Sequence, residues 1–359
     1  MQRGTRRAAL QRQAEPKRGP GGNAAFPPAD RGMLEKDIQL LMDATPQEGA
    51  RIGKLNAGVT GQRTKTTHAG QMLYVSAYPL WDTKTTQRAR GAVEMIKQEP
   101  RSSEAQRKLN ARNAQRKLEQ LINANFGAGD ILVTCTYQPG CQPDTDERAH
   151  RDMANLIARL RRMYKKQGID APRYVYVTET TESSKNGKRY HHHMIIEKGV
   201  SRDDVETAWG KVHGGICNAR RAQQLPEGLT GFAKYITKQV HGDDRQKIAT
   251  RRRWCASKNL VQPITTTADK KISRKRVERI AQECEREPEK ARAALEKVYP
   301  GYRVLEMTVR TSSYVGGAYV YALLTREERS SNGTKGRSAR NQDWRHPHSD
   351  TATIGLAHG

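Results

Sequence analysis

A predicted β-hairpin near the middle of the chain sets the strongest constraint on the fold. Residues 173–180 read R-Y-V-Y-V-T-E-T, with the alternation of a strand, and residues 190–197 form a second run, Y-H-H-H-M-I-I-E. The segment S-S-K-N-G-K at 183–188 separates them, and its Asn-Gly pair is typical of a tight hairpin turn. The two runs therefore predict neighbouring antiparallel strands.

Helices and further strands are predicted around this hairpin. A β-branched run predicts a strand at 131–137, and a short strand is predicted near 216–219. Apolar residues at helical spacing predict helices at 144–168, 201–212 and 230–240. The order β-α-β-β-α-β-α suits a layered α+β fold. We expect a central antiparallel sheet of about five strands, with flanking helices packed on one face.

Composition and pattern divide the chain into five segments. Residues 33–102 are interpreted as an N-terminal extension, and residues 103–263 as the central domain, introduced by a basic helix. Residues 264–326 predict a charged helix followed by a β-hairpin. The basic arm at 1–32 and the polar tail at 327–359 lack hydrophobic periodicity, so both are expected to be disordered.

The large positive charge of the chain bears on its partners. Lys and Arg number 64 against 38 Asp and Glu, which gives a formal net charge of +26. Such a charge destabilises a compact state unless a polyanion neutralises it, and nucleic acid is the first candidate. A ribosome-associated protein, or one that is merely basic, also fits the charge.

The sequence predicts a cytoplasmic protein without membrane contact. No apolar run reaches the 18 residues expected of a membrane-spanning helix, and no apolar stretch follows the basic N-terminus as it would in a secretory signal. The five cysteines form no C-x-x-C pair. Their arrangement favours a reducing compartment and argues against a cysteine zinc site.

The second strand of the hairpin carries a candidate metal site. Because side chains alternate along a strand, His191 and His193 share one face and His192 points to the other. Two such imidazoles suit a single metal ion, although an accidental histidine cluster on the surface is the alternative. Across the hairpin, Glu179 or Glu182 would add a carboxylate, and Glu179 is favoured because Glu182 lies in the predicted turn. Two histidines and a carboxylate suit Mg²⁺ or Mn²⁺ with open positions for a phosphate oxygen.

The predicted helix at 230–240 carries a candidate nucleophile. Tyr235 and Lys238 lie three residues apart on its flank, so their polar ends can meet. A free tyrosine hydroxyl has a pKa near 10 and is a poor nucleophile at neutral pH. A neighbouring cation and a metal-bound phosphate both favour the phenolate. The alternative is a structural tyrosine packed at a helix edge, since the chain contains 13 tyrosines.

Three motifs in this order resemble those of the HUH endonucleases, in particular the rolling-circle replication initiators of phages and plasmids. A hydrophobic strand ending in T-x-T-Y is matched by I-L-V-T-C-T-Y at 131–137. The His-x-His pair is matched by His191 and His193, and Y-x-x-K by Tyr235 and Lys238. The resemblance covers residues 103–263 and identifies them as an HUH endonuclease domain.

The resemblance implies a metal-dependent enzyme that nicks and rejoins single-stranded DNA at a replication origin. Tyr235 would form a 5′-phosphotyrosine, Lys238 would assist it, and a free 3′-OH would remain for the host replication machinery in the bacterial cytoplasm. Two departures leave questions open. His192 stands where the family has a bulky hydrophobe, so a register with His192 as ligand is conceivable, and a single tyrosine leaves the closing of the circle unexplained.

Cations and aromatic residues around these motifs are candidates for contact with nucleic acid. Basic residues four apart on the helix at 103–126 form either a solvated charged face or, beside a DNA site, a track for phosphates. Cations beside a tryptophan after the third motif suit stacked bases and phosphates, and the alternative is a loop with a buried tryptophan and solvated arginines. The residues that we expect to bind nucleic acid are Lys108, Arg112, Arg116, Tyr137, Arg252, Arg253, Trp254 and Lys258.

Three other functions fit parts of the pattern. A relaxase or transposase of the same superfamily would use the same chemistry on a different DNA element. A non-catalytic protein that binds single-stranded nucleic acid would use a similar small sheet without chemistry. A structural zinc protein fits less well, because no four-ligand set is apparent.

Overall fold

A computed structural model describes residues 33–44, 55–98, 102–183, 187–213, 215–241 and 254–327. The basic arm expected at 1–32 and nearly all of the tail expected at 327–359 lie outside these residues, as do Arg252 and Arg253. Within the described part, no helix is both long and apolar enough to cross a membrane.

Helices and strands alternate irregularly along the chain, and their bounds are as follows. The elements are α1 (Glu35–Asp43), β1 (Val59–Ala69), β2 (Met72–Trp81), α2 (Thr83–Gln98), α3 (Ser102–Asn125), β3 (Ile131–Thr136), α4 (Asp146–Lys166), β4 (Tyr174–Ser183), β5 (Gly187–Ile196), α5 (Arg202–His213), β6 (Cys217–Arg221), α6 (Thr230–His241), β7 (Cys255–Ala256), β8 (Ile264–Asp269), α7 (Arg274–Arg286), α8 (Pro288–Glu296), β9 (Tyr302–Thr311) and β10 (Ala318–Arg326).

The central sheet has the strand order β6-β3-β5-β4-β7, and its pairs are antiparallel. Tyr176, Met194 and Ile196 lie in the core that α4 and α5 form on one face. Val175 and Ile195 lie in a second core, formed with α3 and α6 on the other face. The predicted α+β class with a five-stranded antiparallel sheet is confirmed. The expectation of helices on one face is wrong, because both faces of the inner strands are apolar and both must be covered.

A second antiparallel sheet, the outer sheet, has the order β8-β1-β2-β10-β9. Helices α7 and α8 contribute to the apolar core on one of its faces, and side chains of α1 and α3 contact the other. Its strands come from the segments 33–102 and 264–326, which the sequence treated as separate. Pairing of β1 with β8 and of β2 with β10 joins these segments into one layer.

A buried asparagine ties the outer sheet to the helix that carries the candidate nucleophile. The Asn123 amide, on α3, donates to the Tyr74 hydroxyl at 2.9 Å and to Thr230 Oγ1 at 3.0 Å. Its carbonyl oxygen accepts from the Leu229 backbone at 2.8 Å. Since Thr230 is the first residue of α6, these bonds fix the start of that helix against the outer sheet.

Candidate active site

The histidine motif lies on β5, which is flanked in the central sheet by β3 and β4. Glu179 lies directly opposite His191 in the register of β4 and β5, and Thr134 lies opposite His193 on β3. His193 Nε2 is 3.2 Å from a carboxylate oxygen of Glu179, and both side chains are buried. Thr134 Oγ1 contacts the other ring nitrogen of His193 at 3.3 Å. The hairpin thus brings Glu179 to the face of His193, as the sequence predicts.

The ring of His192 points to the opposite face and is fully buried. Its Nε2 atom lies 2.8 Å from the Tyr137 hydroxyl, and its Nδ1 atom lies 3.0 Å from Thr178 Oγ1. Burial lowers the pKa of His192 to about 3, so the ring is neutral at physiological pH. In this register His192 belongs to the core under α4 and α5, away from His193 and Glu179.

Tyr137, which the sequence assigned to nucleic-acid binding, is a core residue. Its ring is buried and meets the Trp209 ring edge to face, with centroids 5.2 Å apart. Its hydroxyl bonds to His192 and to Asp152. The structure corrects the expectation, because the strand alternation that follows Cys135 turns Tyr137 into the α4–α5 core, where DNA has no access.

Tyr235 meets the histidine motif from α6. Its ring stands nearly perpendicular to the His193 ring, at 84°, with centroids 5.3 Å apart. Phe232 and Ile236, which lie one helical turn apart, are buried against the central sheet. Tyr235 is half-buried at the margin of that core. Helical spacing thus brings the candidate nucleophile beside a candidate ligand. The side chain of Lys238 lies outside the described residues.

Arg220 joins this site, and the sequence motifs did not identify it. It lies opposite Leu132 in the pairing of β6 with β3, and Leu132 belongs to the core on the Tyr235 side of the sheet. Partial burial lowers the pKa of the Arg220 guanidinium, and a phenolate at Tyr235 would raise it, so the two side chains lie within electrostatic range of each other. The signal available in the sequence was alternation along C-N-A-R-R, which places Arg220 and Arg221 on opposite faces.

The predicted metal ligands are only partly assembled. His193 and Glu179 place a nitrogen and an oxygen donor side by side, a pair that a divalent ion such as Mn²⁺ or Mg²⁺ accepts. Across the described residues, however, no three His, Cys, Asp or Glu side chains are grouped closely enough to hold a metal ion. His191 shares the register position of Glu179 but does not complete such a group.

The cations of α3 do not form one continuous track. Lys108 is exposed and pairs with Glu104 one turn away. Arg112 donates to Asp43 of α1 at 2.6 Å, so this guanidinium connects two helices. Arg116 lies over the Tyr321 ring of the outer sheet, 3.4 Å from its centroid.

Two predicted contacts after the third motif fall within the described residues. Trp254 is half-buried and packs against the apolar cluster that also includes Tyr235 and Leu260. Lys258 is exposed. The structure thus brings Trp254 to the side of the central sheet where Tyr235 lies.

Residues 130–240 match the model of a family of replication-associated proteins that is named for the replication-associated protein ORF2. No curated protein and no solved structure matched the chain. The matched span begins just before β3 and ends within α6, so it contains Glu179, His191, His193 and Tyr235. The similarity supports a role in replication that involves DNA.

Proposed function

We propose that this chain cuts and rejoins single-stranded DNA at a replication origin, with Tyr235 as the nucleophile. The observation that carries the proposal is the contact between the Tyr235 and His193 rings, on the face where His193 meets Glu179. These residues come from three separate elements, α6, β5 and β4, within the span that resembles replication-associated proteins.

The reaction exchanges one phosphodiester for another. Tyr235 loses its hydroxyl proton and its oxygen attacks phosphorus, the bond between phosphorus and the 3′ oxygen breaks, and that oxygen takes up a proton. The products are a 5′-phosphotyrosine and a free 3′-OH, which a host polymerase extends in rolling-circle replication. Because the covalent link retains the phosphodiester energy, the reverse attack rejoins the strand without ATP.

The surrounding side chains have distinct proposed roles. Glu179 and His193, together with His191, would hold Mg²⁺ or Mn²⁺, which when bound polarises the phosphate. Arg220 stabilises the phenolate of Tyr235 and the charge on phosphate. Lys238 is proposed to assist the same phenolate. The reaction would take place in the cytoplasm of a bacterial host that carries a phage or plasmid.

Formation of a covalent adduct tests the proposal. Labelled single-stranded oligonucleotides that tile the replicon are mixed with the protein and a divalent ion, and a band that resists denaturation is sought. Tyr235→Phe should abolish the band, whereas Tyr314→Phe, the same change at an exposed tyrosine, should leave it intact. Equal adduct yield from both variants would contradict the assignment of Tyr235.

One observation favours a second candidate, a protein that binds single-stranded nucleic acid without cutting it. In the side-chain positions of the described residues, His193 and Glu179 bond to each other and no three-ligand group is formed. In this case oligonucleotides would bind with the same affinity in a chelator, and no sequence would yield an adduct.

A further inference from the structure

The outer sheet, α1 and α3 line an open cavity of about 450 Å³ that shares no residue with the Tyr235 site. Its floor is formed by β1, β2, β8 and β10, and its walls by the two helices. Pockets that bind small ligands span roughly 300–1,000 Å³, so this cavity is large enough for one.

Cations dominate the charged groups of the cavity. Lys36, Lys65, Arg116 and Lys117 line it, against a single carboxylate, Glu35. Lys65 pairs with Glu35 at 3.1 Å. Lys36 and Lys117 are exposed, and neither forms an ion pair with another described residue. The cavity therefore favours an anionic ligand, with two lysines available for a phosphate.

The rest of the lining supplies an aromatic wall and amide groups. The Arg116 guanidinium lies over the Tyr321 ring, with its central carbon 3.4 Å from the ring centroid, and a guanidinium in such a position can also take part in stacking with a base. Asn113 uses its amide nitrogen to donate to Gln39 at 2.9 Å, and Gln120 and Gln262 add further amides. Amides read the hydrogen-bonding edges of bases, so the lining suits a nucleotide better than a simple anion.

We propose that this cavity binds one nucleotide of single-stranded DNA, as a second contact outside the candidate active site. The proposal rests on the proposed function only in taking single-stranded DNA as the ligand. The phosphate meets Lys36 and Lys117, and the base stacks on Arg116. Helix α3 continues from Arg116 to Asn123, which holds the start of α6, so the DNA contact and the nucleophile share one supporting helix.

Filling the cavity with an uncharged side chain tests the proposal without changing the charge of the protein. Thr265 lines the cavity from the edge strand β8 and is exposed, so Thr265→Trp should fill it and remain folded, although it loses the contact between Thr265 Oγ1 and Thr67 Oγ1 at 2.9 Å. Thr267→Trp is the matched control, because Thr267 is exposed on the same side of β8 but outside the lining. Both changes are made together with Tyr235→Phe, so that binding is measured without cleavage, and thermal unfolding verifies the fold.

Fluorescence anisotropy with a labelled oligonucleotide gives the affinity. Loss of one stacked base predicts about tenfold weaker binding for Thr265→Trp and less than twofold for Thr267→Trp. Lys36→Ala with Lys117→Ala should weaken binding more than Lys165→Ala with Lys166→Ala, a matched pair of exposed lysines at the end of α4. The proposal would be overturned if Thr265→Trp weakened binding no more than Thr267→Trp, and the Lys36 and Lys117 changes no more than the Lys165 and Lys166 changes.

A free nucleotide is the alternative source of the same chemistry. Millimolar dATP should leave the oligonucleotide affinity of the protein without the Thr265 change nearly unchanged. If the protein binds dATP itself and Thr265→Trp abolishes that binding, the assignment of the cavity to DNA is overturned. A photoreactive thymidine in the oligonucleotide should crosslink to peptides that line the cavity. If those crosslinks form while the protein yields no covalent adduct, the nicking proposal fails and the cavity proposal stands. If an adduct forms without those crosslinks, the nicking proposal stands and the cavity proposal fails.

Discussion

At the scale of single residues, the histidines of β5 divide between the two faces of the central sheet: His193 contacts Glu179 on one face, and the buried ring of His192 lies on the other. The sequence alone placed His191 and His193 opposite His192, and it favoured Glu179 over Glu182 because Glu182 lies in the predicted turn. The ring of His192 contacts Tyr137 and Thr178, and pairing of β5 with β3 and β4 brings these two residues next to it. Because the ring of His192 is fully buried, replacing it disturbs the core even though it lies away from His193 and Glu179.

His192→Ala should therefore lower the free energy of unfolding. It leaves a cavity under α4 and α5 and removes one hydrogen-bond partner of the buried Tyr137 hydroxyl, at a cost of about 2–4 kcal/mol. Urea unfolding measures the change. His191→Ala, at a half-buried position on the active-site face, is the control and should cost less than about 1 kcal/mol. Equal stability of the two variants would show that His192 is not a core residue.

Arg220 and its neighbour Arg221 allow a second comparison, of the rate of adduct formation. Arg220→Ala should slow adduct formation by about a hundredfold, as expected for loss of a group that stabilises developing charge. Arg221 lies on the opposite face and donates to the Gly129 carbonyl, so Arg221→Ala should have little effect on the rate. Single-turnover adduct assays measure the rates, and anisotropy should show similar DNA affinity for both. A rate loss shared by both variants would point to general charge instead.

At the scale of elements, the central sheet was predictable because its strands and helices carry clear periodicity. In the outer sheet the hairpin of β9 and β10 was also predictable, but the pairing of that hairpin with β1 and β2 was not, since β1 reads V-T-G-Q-R-T-K-T-T-H-A and lacks apolar alternation. Its threonines are buried by distant partners: Thr66 contacts Tyr299 at 3.0 Å, and Thr67 contacts Thr265 at 2.9 Å. Such pairings join residues about 200 positions apart, so no local pattern shows them.

The attachment of α6 to the outer sheet predicts the effect of changing Asn123. Asn123→Asp keeps the shape and the acceptor for Leu229 but removes both donors, to Tyr74 and Thr230. Stability should fall by about 2–3 kcal/mol, and adduct formation should slow as Tyr235 loses its fixed position. Asn110→Asp, on the exposed side of the same helix, is the control for unfolding and adduct assays. No loss of stability in Asn123→Asp would rule out this attachment.

At the scale of the whole molecule, the net charge of +26 predicts DNA binding that depends strongly on salt. Residues 1–32 contain seven Lys and Arg against two acidic residues. Deleting them should weaken binding to every single-stranded sequence and flatten the dependence of log affinity on log salt, because fewer counterions are released. The position of the cut should not move. A shifted cut site would mean that this segment reads sequence.

The residue that carries DNA after cleavage decides whether Tyr235 is the nucleophile. The protein is allowed to react with a single-stranded origin oligonucleotide and a divalent ion, and the DNA-linked peptide is mapped by mass spectrometry. We expect a nucleotide attached through its 5′ phosphate to Tyr235, with a free 3′-OH on the released strand. A phosphate on another tyrosine, or no linked peptide when an origin sequence and metal are both present, would contradict the proposed reaction.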